Sequence, residues 1–171
     1  MKAKLLIFFM VLTLLIPAVS ASDDGYVQSA QAVPTAATVV VNGNEIVFDA
    51  YTIKDNNYFK LRDLAFLLNK DYKGFNVEWD ENHQAIYMTS RTAYTAVGGE
   101  MVAGSAVETT AYPATAMVFV DNKLEEFTAF EINHNNYFKL REICQVFDIG
   151  VTWDEEAQTI SIDTSQSYVE E

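Results

Sequence analysis

A heptapeptide that occurs twice is the feature that most constrains the fold of this chain. Residues 56–62 read Asn-Asn-Tyr-Phe-Lys-Leu-Arg, and residues 135–141 repeat them unchanged, 79 positions later. Two copies indicate a duplication, because a solenoid usually needs three or more. Further matches upstream and downstream align 39–53 with 118–132 and, after a five-residue deletion, 77–86 with 151–160.

Each copy contains the same succession of local patterns. In the first copy, the β-branched run within residues 38–42, the Asn42-Gly43 turn and an alternating run to Ala50 predict a β-hairpin. Apolar residues at helical spacing over 61–68 predict one amphipathic helix, with the asparagine pair signalling its start. Alternation over 77–88 predicts a second hairpin. The predicted fold class is therefore α+β, with two ββαββ repeats whose antiparallel sheets each pack against one helix.

The N-terminus is typical of a secretory signal peptide. Lys2 and Lys4 precede an apolar run at 5–16, and Ala21 satisfies the small-residue rule for cleavage, with Ser20 as the alternative. The run is shorter than the roughly 20 residues that span a bilayer, so no transmembrane segment is expected in the mature protein. The predicted organisation is a signal peptide at 1–21, a flexible leader at 22–36, a first repeat at 37–90, a linker or crossover at 91–115, a second repeat at 116–164 and a polar tail at 165–171.

Charge and composition exclude several classes of partner and site. The chain has 24 acidic and 11 basic residues, a net charge of −13. Nucleic acid is excluded as a partner because phosphate neutralisation needs a surplus of basic residues. A single cysteine excludes an intrachain disulfide, and two histidines leave little for a histidine-built metal site.

The repeated motifs resemble a known family. The heptapeptide, the Val-x-Val-Asn-Gly strand and turn before it and the Val-x-Trp-Asp segment after it together resemble the copper amine oxidase N-terminal-like domain, also called the stalk domain. The resemblance covers both units. It implies a non-catalytic module of secreted and cell-surface proteins of Gram-positive bacteria, and so concerns location and architecture more than chemistry.

Amine oxidase activity itself is not expected. The catalytic domain of those enzymes uses a Thr-x-x-Asn-Tyr-Asp/Glu pattern beside copper held by three histidines. Here Lys54 and Asn133 take the threonine positions, while Phe59 and Phe138 stand where an acid is required. The prediction is a protein that is not an enzyme and has no cofactor.

Other reactive residues have simpler interpretations. Cys144 aligns with Ala65 on the apolar helix face, which favours a small core residue over a reactive thiol. His83 and His134 are not repeated and are expected to be solvated. The acidic turn at 80–81 lacks the spacing of a calcium-binding loop, so a solvated turn is preferred there too.

Repeated aromatic and basic residues are the candidate binding groups. Tyrosine and tryptophan on a sheet face can stack on sugars or anchor a protein partner. The alternative is structural: the aromatics close the core and the arginines pair with acids such as Asp80 and Asp154. The six candidates are Tyr58, Arg62, Trp79, Tyr137, Arg141 and Trp153.

These patterns favour a secreted, non-catalytic binding or spacer module of the bacterial cell envelope. Its expected partner is a cell-wall polymer or an envelope protein, and its expected location is extracellular, with or without attachment to the cell surface. Two alternatives remain open. One is a small extracellular hydrolase or metal-dependent enzyme that uses the turn acids and His83, and the other is an accessory or inhibitor subunit of a secreted enzyme.

Overall fold

A computed structural model describes residues 28–170 of the chain. The expected signal peptide at 1–21 and the first residues of the expected leader lie outside the described residues. Within these described residues the fold is mostly β, with 43% of them in strands and 10% in helices.

The same order of elements occurs in both halves of the chain. The first half contains β1 (Ala30–Pro34), β2 (Thr38–Val41), β3 (Asn44–Glu45), β4 (Ala50–Ile53), β5 (Asn56–Lys60), α1 (Leu61–Leu67), β6 (Phe75–Asp80) and β7 (Ala85–Ser90). The second half contains β8 (Thr109–Pro113), β9 (Met117–Val120), β10 (Lys123–Leu124), β11 (Ala129–Ile132), β12 (Asn135–Lys139), α2 (Leu140–Val146), β13 (Gly150–Asp154) and β14 (Thr159–Asp163).

A closed six-stranded antiparallel barrel forms the centre of the fold. Its strand order is β1-β4-β5-β12-β11-β8, so each half contributes three strands. Equivalent strands meet at the two junctions between the halves, where β5 pairs with β12 and β1 pairs with β8. Phe59 pairs with Phe138 and therefore marks an approximate twofold axis between the halves.

Two four-stranded sheets flank the barrel, and each combines hairpins from different halves. One has the order β10-β9-β7-β6, with β7 parallel to β9. The other has the order β13-β14-β2-β3, with β14 parallel to β2. The last strand of each half thus pairs with the second strand of the other, and the halves are intertwined.

The predicted fold class of two ββαββ repeats, each with its own sheet and helix, is therefore wrong. The Asn-Asn-Tyr-Phe-Lys residues do not begin a helix. They form β5 and β12, which are neighbouring strands of the barrel. Lys54 and Asp55 have positive φ values of 48° and 61° and connect β4 to β5 as a tight hairpin. Each helix has only seven residues and is too small to cover a sheet alone.

Two segments outside the predicted repeats complete the barrel. Residues 30–34, within the expected flexible leader, form β1, and residues 109–113, within the expected linker or crossover, form β8. Ala32 and Ala111 occupy equivalent positions on these strands and are fully buried. Small side chains at these two positions allow the two strands to line a narrow barrel.

Aromatic side chains fill the barrel interior. Tyr51 packs edge-on against Tyr137 and Tyr58 against Phe130, with ring centroids 5.4 and 5.2 Å apart. The Tyr137 hydroxyl donates a hydrogen bond to Asp49 Oδ2 at 2.6 Å.

A second core surrounds the helices outside the barrel. Since successive strand residues face opposite sides, Phe59 and Phe138 point away from the barrel interior and join this core. Cys144 lies in the same core, and its burial raises the pKa of the thiol to about 12. The cysteine is therefore a packing residue, as its alignment with Ala65 predicted.

Replacing Tyr137 with phenylalanine tests the one polar bond that this aromatic core makes with Asp49. We expect Tyr137→Phe to lower the free energy of unfolding by about 1–3 kcal/mol, because a partly buried carboxylate oxygen loses its donor. Urea denaturation followed by circular dichroism measures the change. The matched control is Tyr58→Phe, whose hydroxyl has no hydrogen-bond partner within residues 28–170 and whose loss should cost much less. Equal losses in the two variants would contradict this account.

Candidate functional site

Two clefts lie at equivalent places between the halves of the chain. Cleft 1 is bounded by residues 60–62 at the start of α1, by the β6–β7 hairpin, and by the turn between β11 and β12 from the other half. Its volume is about 790 Å³. Both halves are needed to build it.

Cleft 2 repeats this arrangement with the halves exchanged. Residues 139–141 at the start of α2 and the β13–β14 hairpin form one side, and the turn between β4 and β5 forms the other. Its volume is about 440 Å³.

One exposed tryptophan lines each cleft. Trp79 is 44% exposed and Trp153 is 38% exposed. Trp79 pairs across its hairpin with Ile86, and Trp153 with Ile160, so each ring extends a buried sheet face beyond the edge of the core. The paired strands hold the indole in place while leaving much of it open to solvent.

The two candidate arginines line the same clefts as these tryptophans. Arg62 lines cleft 1 and Arg141 lines cleft 2, each from the first turn of its helix. The expected pair between Arg62 and Asp80 does not form: within residues 28–170, Arg62 has no carboxylate within ion-pair distance. Asp80 instead lies 2.7 Å from His83 Nδ1.

Carboxamides from the opposite half complete each cleft. In cleft 2, Asn57 Oδ1 accepts hydrogen bonds from the hydroxyls of Thr35 at 3.0 Å and Thr52 at 3.2 Å. These bonds fix the amide and leave its Nδ2 donor without a partner among the described residues. Asn136 occupies the equivalent position in cleft 1.

A strap formed by residues 91–108 closes over one side of cleft 1. Lys60 Nζ donates to the Gly99 carbonyl oxygen at 2.6 Å and lies 3.5 Å from Asp63 Oδ1, which also accepts from the Met101 amide at 2.9 Å. Asp63 is fully buried, and among the described residues its Oδ2 has no hydrogen-bond partner. Burial raises the pKa of Asp63, while the Met101 amide and Lys60 act against that increase.

The candidate tyrosines do not line the clefts. Tyr58 and Tyr137 are buried in the barrel, 4% and 1% exposed. Burial raises the pKa of Tyr58 to about 12, and the nearby Glu142 carboxylate adds to the increase. The structure thus brings together Arg62 with Trp79 and Arg141 with Trp153, but places both tyrosines in the core.

The acidic turns have a structural role in both halves. Asp80 Oδ1 accepts hydrogen bonds from the amides of Asn82 and His83, and Asp154 Oδ1 accepts one from the Ala157 amide. Each carboxylate therefore stabilises its hairpin turn. Between residues 28 and 170, no group of three or more His, Cys, Asp or Glu side chains is arranged to hold a metal ion.

The asparagines, Lys60 and Lys139 line the clefts but were not predicted as binding residues from the sequence. The heptapeptide contained the necessary signal, since it repeats the asparagines and the lysine unchanged. What the sequence did not show is that the asparagines of one half face the tryptophan of the other.

No protein-family model, curated protein or solved structure matches the chain. In the described part of the chain, neither helix has the length and apolar character needed to cross a lipid bilayer.

The raised pKa of Asp63 predicts a pH-dependent contribution to stability. A carboxyl group that binds its proton more tightly in the folded protein stabilises the fold most below its ordinary pKa of 3.8, and this stabilisation is lost as the pH rises through the folded-state pKa. Asp63→Asn should therefore gain stability relative to the wild type as the pH is raised from 4 to 7. Urea denaturation at several pH values measures the difference.

Asp148→Asn provides a control of opposite sign. The hydrogen bond from Lys73, 3.1 Å from Asp148 Oδ2, lowers the pKa of this exposed carboxyl. Its stabilisation is present above the ordinary pKa and is lost as the pH falls. The wild type should therefore exceed Asp148→Asn in stability more at pH 7 than at pH 3. The same pH trend in both variants would show that the assignment for Asp63 is wrong.

Proposed function

We propose that this protein is a secreted, non-catalytic module of the bacterial cell envelope that binds wall glycan through its two clefts. The observation that supports this most is the exposed tryptophan beside an arginine in each of two equivalent clefts. Exposure of 44% and 38% leaves part of each indole ring open to a ligand, as a stacking platform requires.

The chemistry of the clefts suits a carbohydrate. A sugar ring has an apolar C–H face that packs on an indole and a rim of hydroxyls that need hydrogen-bond partners. Arginine supplies several donors, and asparagine and glutamine supply both donors and acceptors. Gln84 and Gln158 line the two clefts at equivalent positions, each held by a bond of 2.8 Å from Nε2 to a turn carbonyl.

Location in the envelope is supported by the sequence. The basic and apolar N-terminal segment favours export. The resemblance of the repeated motifs to the stalk domain family implies secreted and surface proteins of Gram-positive bacteria. The acidic composition disfavours nucleic acid and anionic lipid as competing partners.

Two clefts in one intertwined fold favour a polymer over a single small ligand. When one cleft holds a chain of repeating units, further units of the same chain are presented to the second cleft at high local concentration. Weak individual contacts then give firm attachment. A protein bound through both clefts contacts the wall at two points and can serve as a spacer.

Co-sedimentation with purified wall sacculi tests the proposal. We expect the full-length mature protein to sediment with sacculi, Trp79→Ala and Trp153→Ala each to weaken binding by about tenfold, and the double variant to remain in solution. Tyr72→Ala and Tyr112→Ala are matched controls, because these rings are 73% and 61% exposed but line neither cleft. They should bind as the wild type does.

The same variants separate loss of binding from loss of fold. The chain has two tryptophans, so each single variant retains one fluorescent reporter in the remaining cleft. Circular dichroism melting curves show whether the variants are folded. If a folded wild-type protein does not sediment with sacculi, or if the folded double variant sediments as strongly as the wild type, the proposal is overturned.

A further inference from the structure

The clefts differ in charge, and we infer that cleft 2 binds an anionic group of the glycan, a sugar carboxylate or phosphate, whereas cleft 1 takes an uncharged segment. This inference rests on the proposed function and specifies the ligand of one of its two sites. It follows from comparing residues at equivalent positions in the two halves.

Threonines in cleft 2 replace the two acids of cleft 1. Glu78 and Glu131 line cleft 1, and their equivalents in cleft 2 are Thr152 and Thr52. Asp55 is the one acid among the lining residues of cleft 2. An anion entering cleft 2 therefore meets hydroxyl groups where cleft 1 would repel it with carboxylates.

The lysines of the two clefts also differ in their partners. Lys60 is buried and committed to Asp63 and to the Gly99 carbonyl oxygen of the strap. Its equivalent, Lys139, is partly exposed and makes no side-chain hydrogen bond or ion pair within residues 28–170. Its ammonium group is therefore available to a ligand.

The acid that would neutralise Lys139 is held elsewhere. Glu142 is the equivalent of Asp63, but its two carboxylate oxygens accept from the amide of Thr128 at 2.6 Å and from its hydroxyl at 2.8 Å. In the first half, Asp49 stands at the position of Thr128 and offers no such donor side chain. Thr128 thus holds the Glu142 carboxylate, which leaves Lys139 without an ion-pair partner among the described residues.

Cleft 2 also contains a neutral hydrogen-bond donor besides the positively charged Lys139. Asn57 has its oxygen occupied by two threonine hydroxyls, so its free Nδ2 presents a donor to the cleft. Arg141 lines the same space. Two cationic side chains and an amide donor around one indole suit a sugar whose oxygen atoms carry negative charge.

The single-tryptophan variants measure the two clefts separately. In Trp79→Ala, fluorescence of Trp153 reports on cleft 2, and in Trp153→Ala, Trp79 reports on cleft 1. The probes are a galacturonic acid oligomer, a glycerol phosphate oligomer and a neutral galactose oligomer. We expect titrations followed by Trp153 fluorescence to give an affinity for an anionic probe at least tenfold higher than for the neutral probe. The affinity for the anionic probe should fall as salt is added.

Comparison of the two anionic probes identifies the source of the charge. A preference for the galacturonic acid oligomer assigns cleft 2 to a carboxylated sugar, and a preference for the glycerol phosphate oligomer assigns it to a phosphate-bearing polymer. Either result supports the inference. We expect Trp79 to show no preference for anionic probes.

Lys139→Gln in the Trp79→Ala background removes the available charge. It should weaken anionic probe binding by about tenfold and leave neutral probe binding unchanged. Lys123→Gln removes the same charge from the exposed strand β10, outside both clefts, and is the matched control.

Equal affinity of Trp153 for anionic and neutral probes, or an unaltered response in folded Lys139→Gln, would overturn the inference. If the wild-type protein still binds sacculi in either of these cases, the proposed function holds and only the inference about cleft 2 fails. Absence of sacculus binding by the wild type would overturn the proposed function itself.

Discussion

Parallel pairing between the last strand of one half and the second strand of the other holds this molecule together. Residues 159–162 of β14 align with 38–41 of β2, and residues 85–88 of β7 align with 117–120 of β9. Parallel strands need a long connection. Residues 91–108 and β8 connect β7 to β9, and most of the chain lies between β2 and β14. Both clefts depend on this exchange, because it brings the tryptophan hairpin of one half beside the asparagine turn of the other.

The duplication also shows which repeated residues are buried in both halves and which are not. Tyr58 and Tyr137 are repeated because the barrel interior needs two large rings, and their burial shows it. Trp79 and Trp153 are also repeated, but they remain 44% and 38% exposed where they line the clefts. Lysine is repeated in sequence but not in surroundings, because Asp63 and Glu142 have different neighbours. Comparing equivalent positions in the two halves therefore shows how the same residue behaves in different surroundings.

Several local elements of the structure were predicted correctly from the sequence. Alternation over 77–88 correctly indicated the β6–β7 hairpin, and Asn42-Gly43 forms the expected turn with φ values of 48° and 82°. The helical spacing at 61–68 also corresponds to a helix, although a short one. These patterns depend on neighbours within a few residues, and such information is contained in any short segment.

Strand partners and the clefts could not be predicted in the same way. An alternating strand shows which of its faces is apolar but not which strand lies beside it, so β2 gave no indication that its partner is about 120 residues away. The asparagine pair suited a helix start as well as a strand after a tight turn, and the pairing of β5 with β12 decides for the strand. Arg62 and Trp79 were identified as candidates from repetition, but their cleft required knowledge of the exchange.

The pairing of β2 with β14 also determines when the sheet that contains both strands can form. Strand β2 ends at Val41, and its parallel partner is complete only at Asp163. The sheet β13-β14-β2-β3 therefore cannot close until residue 163 has been synthesised, and until then β2 lacks its parallel partner. Contacts this distant in sequence form slowly, so this sheet is expected to close after the sheet β10-β9-β7-β6, all of whose strands are complete at Leu124.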